Sequence, residues 1–251
     1  MNTLQEQTTL ITGGNSGIGY AAAKLFKAKG ATVIITGRDA EAITKASQEL
    51  GVSGYVSDQA DTSAIDQLVA TIKADFGTLD TVFLNAGVAA FLPFEQVTEA
   101  HFDHIMDINV KGVFFTLQKL LPILNDGGSV IFNTSVNASV GMPNSAVYTA
   151  SKAALIGLNR VLATELAPRN IRVNCISPGP VETPVYQKLG MNAEEIGAFS
   201  TILSNKILFK RFAQAEEIAQ LASFLASKDA AFITGTEMII DGGLTVNPVI
   251  N

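Results

Sequence analysis

Thr8-Thr9-Leu10-Ile11-Thr12-Gly13-Gly14-Asn15-Ser16-Gly17-Ile18-Gly19 is the stretch on which the reading of this chain turns. A short apolar, β-branched run ends at Thr12, glycines follow, and a helical pattern with Ala22, Leu25 and Phe26 on one face begins at Gly17. Glycines between a strand and a helix let the backbone turn tightly and approach a pyrophosphate, whose charge then sits at the helix N-terminus. The spacing is G-x-x-x-G-x-G rather than G-x-G-x-x-G, so a plain strand-to-helix turn with a closely packed Gly19 is the competing reading.

Outward from this turn, apolar β-branched runs alternate with segments of helical period. Strands are expected at Thr8–Thr12, Thr32–Thr36, Gly54–Val56, Thr81–Leu84, Ser129–Asn133, Arg172–Ile176 and Met238–Ile240. Helices are expected at Gly17–Lys29, Ala40–Leu50, Ser63–Phe76, a bent Glu99–Leu124, Ser145–Leu166 and Ala215–Ser227. The alternation predicts an α/β fold: a Rossmann-type, doubly wound, parallel seven-stranded sheet in three α/β/α layers, with residues 1–251 forming a single dinucleotide-binding catalytic domain. No repeat, low-complexity tract or linker interrupts it. Pro178–Phe209 carries two further early prolines and no long regular pattern; stretches of this length are functional lids or hold short helices, and it reads as a substrate lid within the domain, with an ordinary surface insertion as the competing reading.

Composition narrows the function classes. With 251 residues, 47% hydrophobic and 16% charged, the chain can bury roughly 70–75% of its unfolded surface and needs no staple. Its single Cys175 forms no intramolecular disulfide and no CxxC motif, which suits a reducing compartment. Two histidines, His101 and His104, leave little for a zinc site or a Ser/His/Asp triad. They stand three apart on an expected helix with no third ligand, so no metal site is assigned. A net charge of −6 without a basic stripe speaks against nucleic acid as a partner. The start lacks a secretory pattern, and no segment approaches the roughly 18 apolar residues of a membrane span, so a cytoplasmic protein without a membrane partner is expected.

Tyr148 and Lys152 stand four residues apart on an expected helix and share a face. A nearby ammonium favours phenolate, lowering a tyrosine pKa from about 10 toward the working pH and making an acid/base. Ser135 can hydrogen-bond the same substrate oxygen. Taken alone, a Tyr-x-x-x-Lys pair is a common helix-surface feature. The order and spacing of the whole set alter that: the glycine-rich turn, Asn85-Ala86-Gly87, Asn109, Ser135 thirteen residues before Tyr148, Lys152, Pro178-Gly179 with Thr183, and Asp241-Gly242-Gly243. Over almost its whole length the chain resembles the short-chain dehydrogenase/reductase family.

That resemblance implies that Tyr148 is the general acid/base, that Lys152 lowers its pKa while binding the nicotinamide ribose, that Ser135 orients the substrate, and that Asn109 supports a water relay from the lysine. A helix-bend role for Asn109 is compatible with this. It also implies coenzyme contacts at Gly13, Asn15, Ser16, Gly17, Ile18 and Gly19, at Asp58 and Gln59 beside the adenine, and at Asn85, Ala86 and Gly87 beside the adenosine ribose. Pro178, Gly179, Val181 and Thr183 would meet the nicotinamide and its phosphate, Val181 through its backbone. The family's usual first asparagine is Leu84 here.

Asp39 lies about twenty residues past the glycines, where a generic count places an NAD-selecting acid. The family position for that acid falls instead on Gly37, followed by Arg38. A glycine leaves room for a 2′-phosphate and a guanidinium can pair with it, so NADP(H) is expected over NAD(H), with Asp39 the N-cap of the Ala40–Leu50 helix. Cys175 lies in an apolar strand and reads as packing, and Asp241-Gly242-Gly243 as a turn.

Expected pocket walls are Ala89 to Phe91, Asn137, Met142, Pro180, Val185, Tyr186 and Leu189. They are largely apolar and lack an arginine clamp, so a neutral ketone, aldehyde or secondary alcohol is the expected substrate. Three functions follow for comparison: a carbonyl reductase or alcohol dehydrogenase, a 3-oxoacyl-[acyl-carrier-protein] reductase, and a non-catalytic nucleotide-sensing protein. The intact Ser135, Tyr148 and Lys152 argue against the third. The resemblance further implies a homotetramer with Glu99–Leu124 and Ser145–Leu166 packed between subunits.

Overall fold

A computed structural model describes residues 3–184 and 192–246. β1 (Thr8–Thr12), β2 (Thr32–Gly37), β3 (Ser53–Val56), β4 (Leu79–Leu84), β5 (Leu124–Asn133), β6 (Arg172–Pro178) and β9 (Glu237–Ile240) form a seven-stranded sheet in the order β3-β2-β1-β4-β5-β6-β9. Every pairing in it is parallel. Because successive strand residues face opposite ways, Leu10, Ile34, Val82, Leu84, Val130 and Phe132 enter one core while Ile11, Val33, Ile35, Phe83 and Ile131 enter the other. α1 (Gly17–Ala28), α2 (Ala40–Leu50) and α8 (Ala215–Ala226) cover the second face. α3 (Thr62–Phe76), α5 (Val113–Leu120) and α6 (Ala146–Glu165) cover the first. The expected doubly wound three-layer domain is the one observed.

Strand order reverses between β1 and β4, and there the turns that follow the two strands meet. Thr12 Oγ1 accepts from the backbone N–H groups of both Asn85 (3.1 Å) and Ala86 (3.0 Å), tying one turn to the other. Asp39 caps α2, its carboxylate accepting from Ala42 N at 2.9 Å, as its place before the helix predicts.

Three expectations about elements need correction. The bent Glu99–Leu124 helix is α4 (Glu99–Met106), a wider π-type segment Asp107–Gly112, and α5, which ends at Leu120. β5 starts at Leu124, not Ser129, because Gly127 (φ 78°) and a register shift opposite Leu79 and Thr81 carry the strand across an Asn-Asp-Gly-Gly stretch that reads as a turn. Pro178–Phe209 is not without long regular structure: it contains β7 (Val181–Glu182), paired with β8 (Ala213–Gln214), and α7 (Ala193–Lys206). α7 begins with a capping box between Asn192 and Glu195, a signal the N-x-x-E spacing carries. Val185, Tyr186 and Leu189, expected as pocket walls, lie outside the described residues.

Phe132 is fully buried between β5 and the α3/α5/α6 layer. Phe132→Ala is expected to cost about 3–5 kcal/mol, read from the shift in urea midpoint at constant m-value. A loss under ~1 kcal/mol contradicts this placement.

Candidate active site

The glycine-rich turn owes its shape to close approaches that only hydrogen permits. Gly13 has a φ of 66°, and Gly17 one of 54°. A Cβ at Gly19 would lie 2.2 Å from Gly13 O and 2.6 Å from Asn85 Nδ2; one at Gly17 would lie 3.2 Å from Thr183 Cγ2. The turn therefore sits against the Asn85 segment on one side and the Thr183 segment on the other. Ser16, at the N-cap of α1, makes no side-chain cap bond, so its hydroxyl is not spent on the helix. These residues fit a dinucleotide: a side-chain-free cradle opening onto the N-terminus of a twelve-residue helix.

At the end of β2, Gly37 lets Asn15 come close, since a Cβ there would meet Asn15 Oδ1 at 2.7 Å and Ile43 Cδ1 at 3.0 Å. Arg38 is exposed and makes no ion pair among the described residues. Asp58 Oδ1 accepts from Ala60 N at 2.9 Å. Gln59 turns its amide away to Thr116 Oγ1 on α5 at 2.9 Å, so its side chain holds the sheet to that helix.

The proton-handling groups gather beyond β5. Lys152 is 4% exposed and its Nζ donates to Asn133 O at 2.8 Å. Burial lowers its pKa to about 8, against a small opposing influence of Cys175. Nζ stands 5.8 Å from the centroid of the Tyr148 ring. Tyr148 differs in direction from the expectation. Burial raises its pKa from the ordinary tyrosine value, and the hydrogen bond with Ser135 opposes that rise. Ser135 Oγ accepts from Asn137 N at 3.2 Å, and Phe91 packs edge-on to Tyr148 at 5.8 Å and 86°.

Asn109 lies in the π-type segment, fully buried. Its Oδ1 accepts from Val88 N (2.8 Å), and its Nδ2 donates to Val88 O (2.9 Å) and Ser151 Oγ (3.0 Å). A wider helical turn frees the space for an amide to reach across, so the bend and the site are one feature. A Cβ on Gly87 would lie 3.2 Å from Asn109 Oδ1 and 3.3 Å from Lys152 Nζ, which keeps the amide and the ammonium on one small opening. Ser151 Oγ in turn donates to Tyr148 O at 2.7 Å. Sequence reasoning passed over Ser151 and Asn133; a serine directly before Lys152 and an amide closing an apolar strand were the available signals.

Pro178 closes β6, and Gly179 packs so tightly on Asp241 that a Cβ would sit 2.8 Å from its Cα. Asp241 shapes the turn expected there, accepting from Gly243 N (2.8 Å), Thr245 N (2.7 Å) and Thr245 Oγ1 (2.7 Å). Val181, in β7, is buried. Asn137 Nδ2 reaches Met142 Sδ at 3.2 Å. Cys175 is buried in β6 and burial pushes its thiol up to about 12, consistent with packing. Among the described residues, no three His, Cys, Asp or Glu side chains gather for a metal, and no helix is long and apolar enough to cross a membrane.

Residues 13–245 match the family model described as enoyl-(acyl carrier protein) reductase. The chain is 38% identical to 3-oxoacyl-[acyl-carrier-protein] reductase FabG of Thermotoga maritima over 250 residues, covering 97% of this chain and 99% of that one. Among solved structures, it is similar to levodione reductase (TM-score 0.91, 32% identity, 97% and 99% of the two chains). It is likewise similar to a short-chain dehydrogenase/reductase of Serratia marcescens (TM-score 0.89, 33% identity, the same coverage).

Proposed function

The chain belongs to the short-chain dehydrogenase/reductase family of nicotinamide-dependent oxidoreductases, and from that premise we propose that it interconverts a ketone or aldehyde with its alcohol, using NADP(H) in preference to NAD(H). The convergence of Ser135, Tyr148 and Lys152 at the C-terminal end of β5, beside the glycine-rich turn, carries this reading. A nucleotide sensor has no use for a phenol paired with a buried ammonium.

The nicotinamide, when bound, supplies or accepts hydride. In reduction the Tyr148 hydroxyl donates its proton to the substrate oxygen, which the Ser135 hydroxyl holds in place. The positive charge of Lys152 favours the phenolate left behind and lowers the cost of that transfer. In oxidation the phenolate removes the alcohol proton. Asn109 fixes the backbone at Val88 and, through Ser151, the carbonyl of Tyr148, so the groups stay in register during turnover. Its further place in a water relay to Lys152 belongs to the same proposal.

Coenzyme choice is read at Gly37 and Arg38. An acid at position 37 would have to displace Asn15, and the exposed guanidinium of Arg38, without an ion pair among the described residues, suits a 2′-phosphate. Gly13, Asn15, Ser16, Gly17, Ile18, Gly19, Asp58, Asn85, Ala86, Gly87, Pro178, Gly179, Val181 and Thr183 line the remaining coenzyme path in this proposal; Gln59 joins it only through its backbone. Phe91 packs on Tyr148, and with Asn137 and Met142, which contact each other, it is assigned to a mainly apolar pocket that favours an uncharged carbonyl substrate. A second reading, 3-oxoacyl-[acyl-carrier-protein] reduction, draws support from the 38% identity to the Thermotoga maritima enzyme. Exposed Phe102, Phe114 and Val161 on α4, α5 and α6 support the homotetramer.

Tyr148→Phe is expected to lower kcat for carbonyl reduction by about 10²–10⁴-fold, followed as loss of reduced-coenzyme absorbance across a ketone, aldehyde and 3-oxoacyl thioester panel. Turnover near the wild-type rate overturns the mechanism, and coenzyme binding without turnover on any carbonyl favours the sensor. Arg38→Ala is expected to weaken NADPH by about 10-fold while changing NADH little, as a charge-assisted phosphate contact should. Equal loss for both coenzymes, or a wild-type preference for NADH, contradicts the NADP(H) assignment.

A further inference from the structure

Asn133, the last residue of β5, joins two parts of the site by its two ends. Its backbone carbonyl accepts from Lys152 Nζ at 2.8 Å, and its side-chain Nδ2 donates to Asn85 Oδ1 at 2.9 Å. Asn85 Nδ2 in turn donates to Thr12 O (3.0 Å) and Gly13 O (3.2 Å). Asn85 must face those two carbonyls with its NH₂, which leaves its Oδ1 needing a donor and fixes the orientation of the Asn133 amide. The Asn85 NH₂ also occupies the space that Gly13 and Gly19 leave free, 3.1 Å and 2.6 Å from where their Cβ atoms would stand.

The Asn133 amide carries a local penalty: its Oδ1 is buried and has no hydrogen-bond partner among the described residues. An apolar residue at the end of this strand would avoid that unsatisfied acceptor. What the amide supplies is the donor to Asn85. Without it, the Asn85 amide loses the partner that sets its orientation, and in the reversed orientation its oxygen would face the carbonyls of Thr12 and Gly13.

We infer that Asn133 is a positioning residue: acting through Asn85, it holds the glycine-rich turn in the shape that accepts the coenzyme pyrophosphate, while its backbone anchors the lysine. The inference rests on the coenzyme reading above. It makes the strand end that locates the proton-handling groups also locate the turn that seats the coenzyme.

A double-mutant cycle on the full-length protein tests this, using NADPH fluorescence to measure dissociation constants for wild type, Asn133→Ala, Asn85→Ala and the double variant. Each single substitution is expected to weaken binding by about 10-fold, and the double variant to be within about twofold of Asn85→Ala. The loss in coenzyme affinity should exceed the loss in kcat at saturating coenzyme. Asn133→Asp, which keeps the size and removes the donor, should match Asn133→Ala, and serves if the alanine variant folds poorly. A merely structural role would lower the melting temperature and leave the folded protein's dissociation constant alone. Multiplying losses in the double variant, or an Asn133→Ala or Asn133→Asp constant within twofold of wild type, overturns the inference. Wild-type protein that binds neither NADPH nor NADH overturns the coenzyme reading itself, and this inference with it, a result distinct from additivity among variants that do bind.

Discussion

The ammonium of Lys152 is almost entirely withdrawn from water, with one backbone oxygen at 2.8 Å as its hydrogen-bond acceptor among the described residues. Lowering a lysine pKa from 10.5 to about 8 corresponds to roughly 3 kcal/mol against its charged form. The fold accepts that cost in one place, where β5 ends, and much of the architecture converges on it. β5 supplies the acceptor, α6 supplies the lysine one turn after Tyr148, and the residues after β4 run past with a glycine whose missing side chain would crowd both the ammonium and the Asn109 amide. A charge held this way is poised to respond strongly to a neighbouring phenolate, because low polarity strengthens whatever partner it gains.

The parallel sheet makes this arrangement possible. Strand ends that carry Gly13, Asn85, Ser135 and Gly179 all emerge on the same edge, and the reversal of order between β1 and β4 opens a crevice there. Side-chain amides then bridge neighbouring strand ends: Asn85 to the β1 turn, Asn133 to Asn85, Asn109 to Val88. Backbone ladders place these residues within reach of each other, and the amides set the last few tenths of an ångström.

Periodicity was enough to find the helices that flank the main sheet and its seven strands, because each buries an apolar stripe or an alternate face against the same sheet, but it missed the fourteen-residue α7. It failed where local composition and tertiary context disagree. Asn125-Asp126-Gly127-Gly128 has turn chemistry yet begins β5, held by neighbours distant in sequence such as Asp80, whose carboxylate accepts from Asn125. The π-type segment around Asn109 leaves no periodic mark, since one widened turn shifts the pattern by a single residue. In the site, chain order and spacing brought Ser135, Tyr148 and Lys152 forward, whereas the weaker signals at Asn133 and Ser151 gain meaning from their contacts. The upward pKa of Tyr148 is illegible in the sequence for a related reason: a four-residue spacing states which face a lysine shares and says nothing of burial, and burial is the largest influence on the phenol here.

The central claim, that a buried Lys152 governs proton transfer at Tyr148, makes the pH dependence of carbonyl reduction decisive. Reduction needs the Tyr148 proton and the Lys152 charge. Burial holds the Tyr148 pKa above its ordinary range, whereas Lys152 loses its charge as pH rises through about 8. The rate of reduction should therefore be level below that point and fall above it, and Lys152→Arg, whose guanidinium stays charged, should carry the fall to higher pH. The measurement is kcat/KM for reduction between pH 6 and 10, with enzyme stability checked at each pH. An alkaline limb near 8 that moves upward in Lys152→Arg is the predicted result, and a limb that stays in place in that variant, or no limb at all below pH 10, would contradict it.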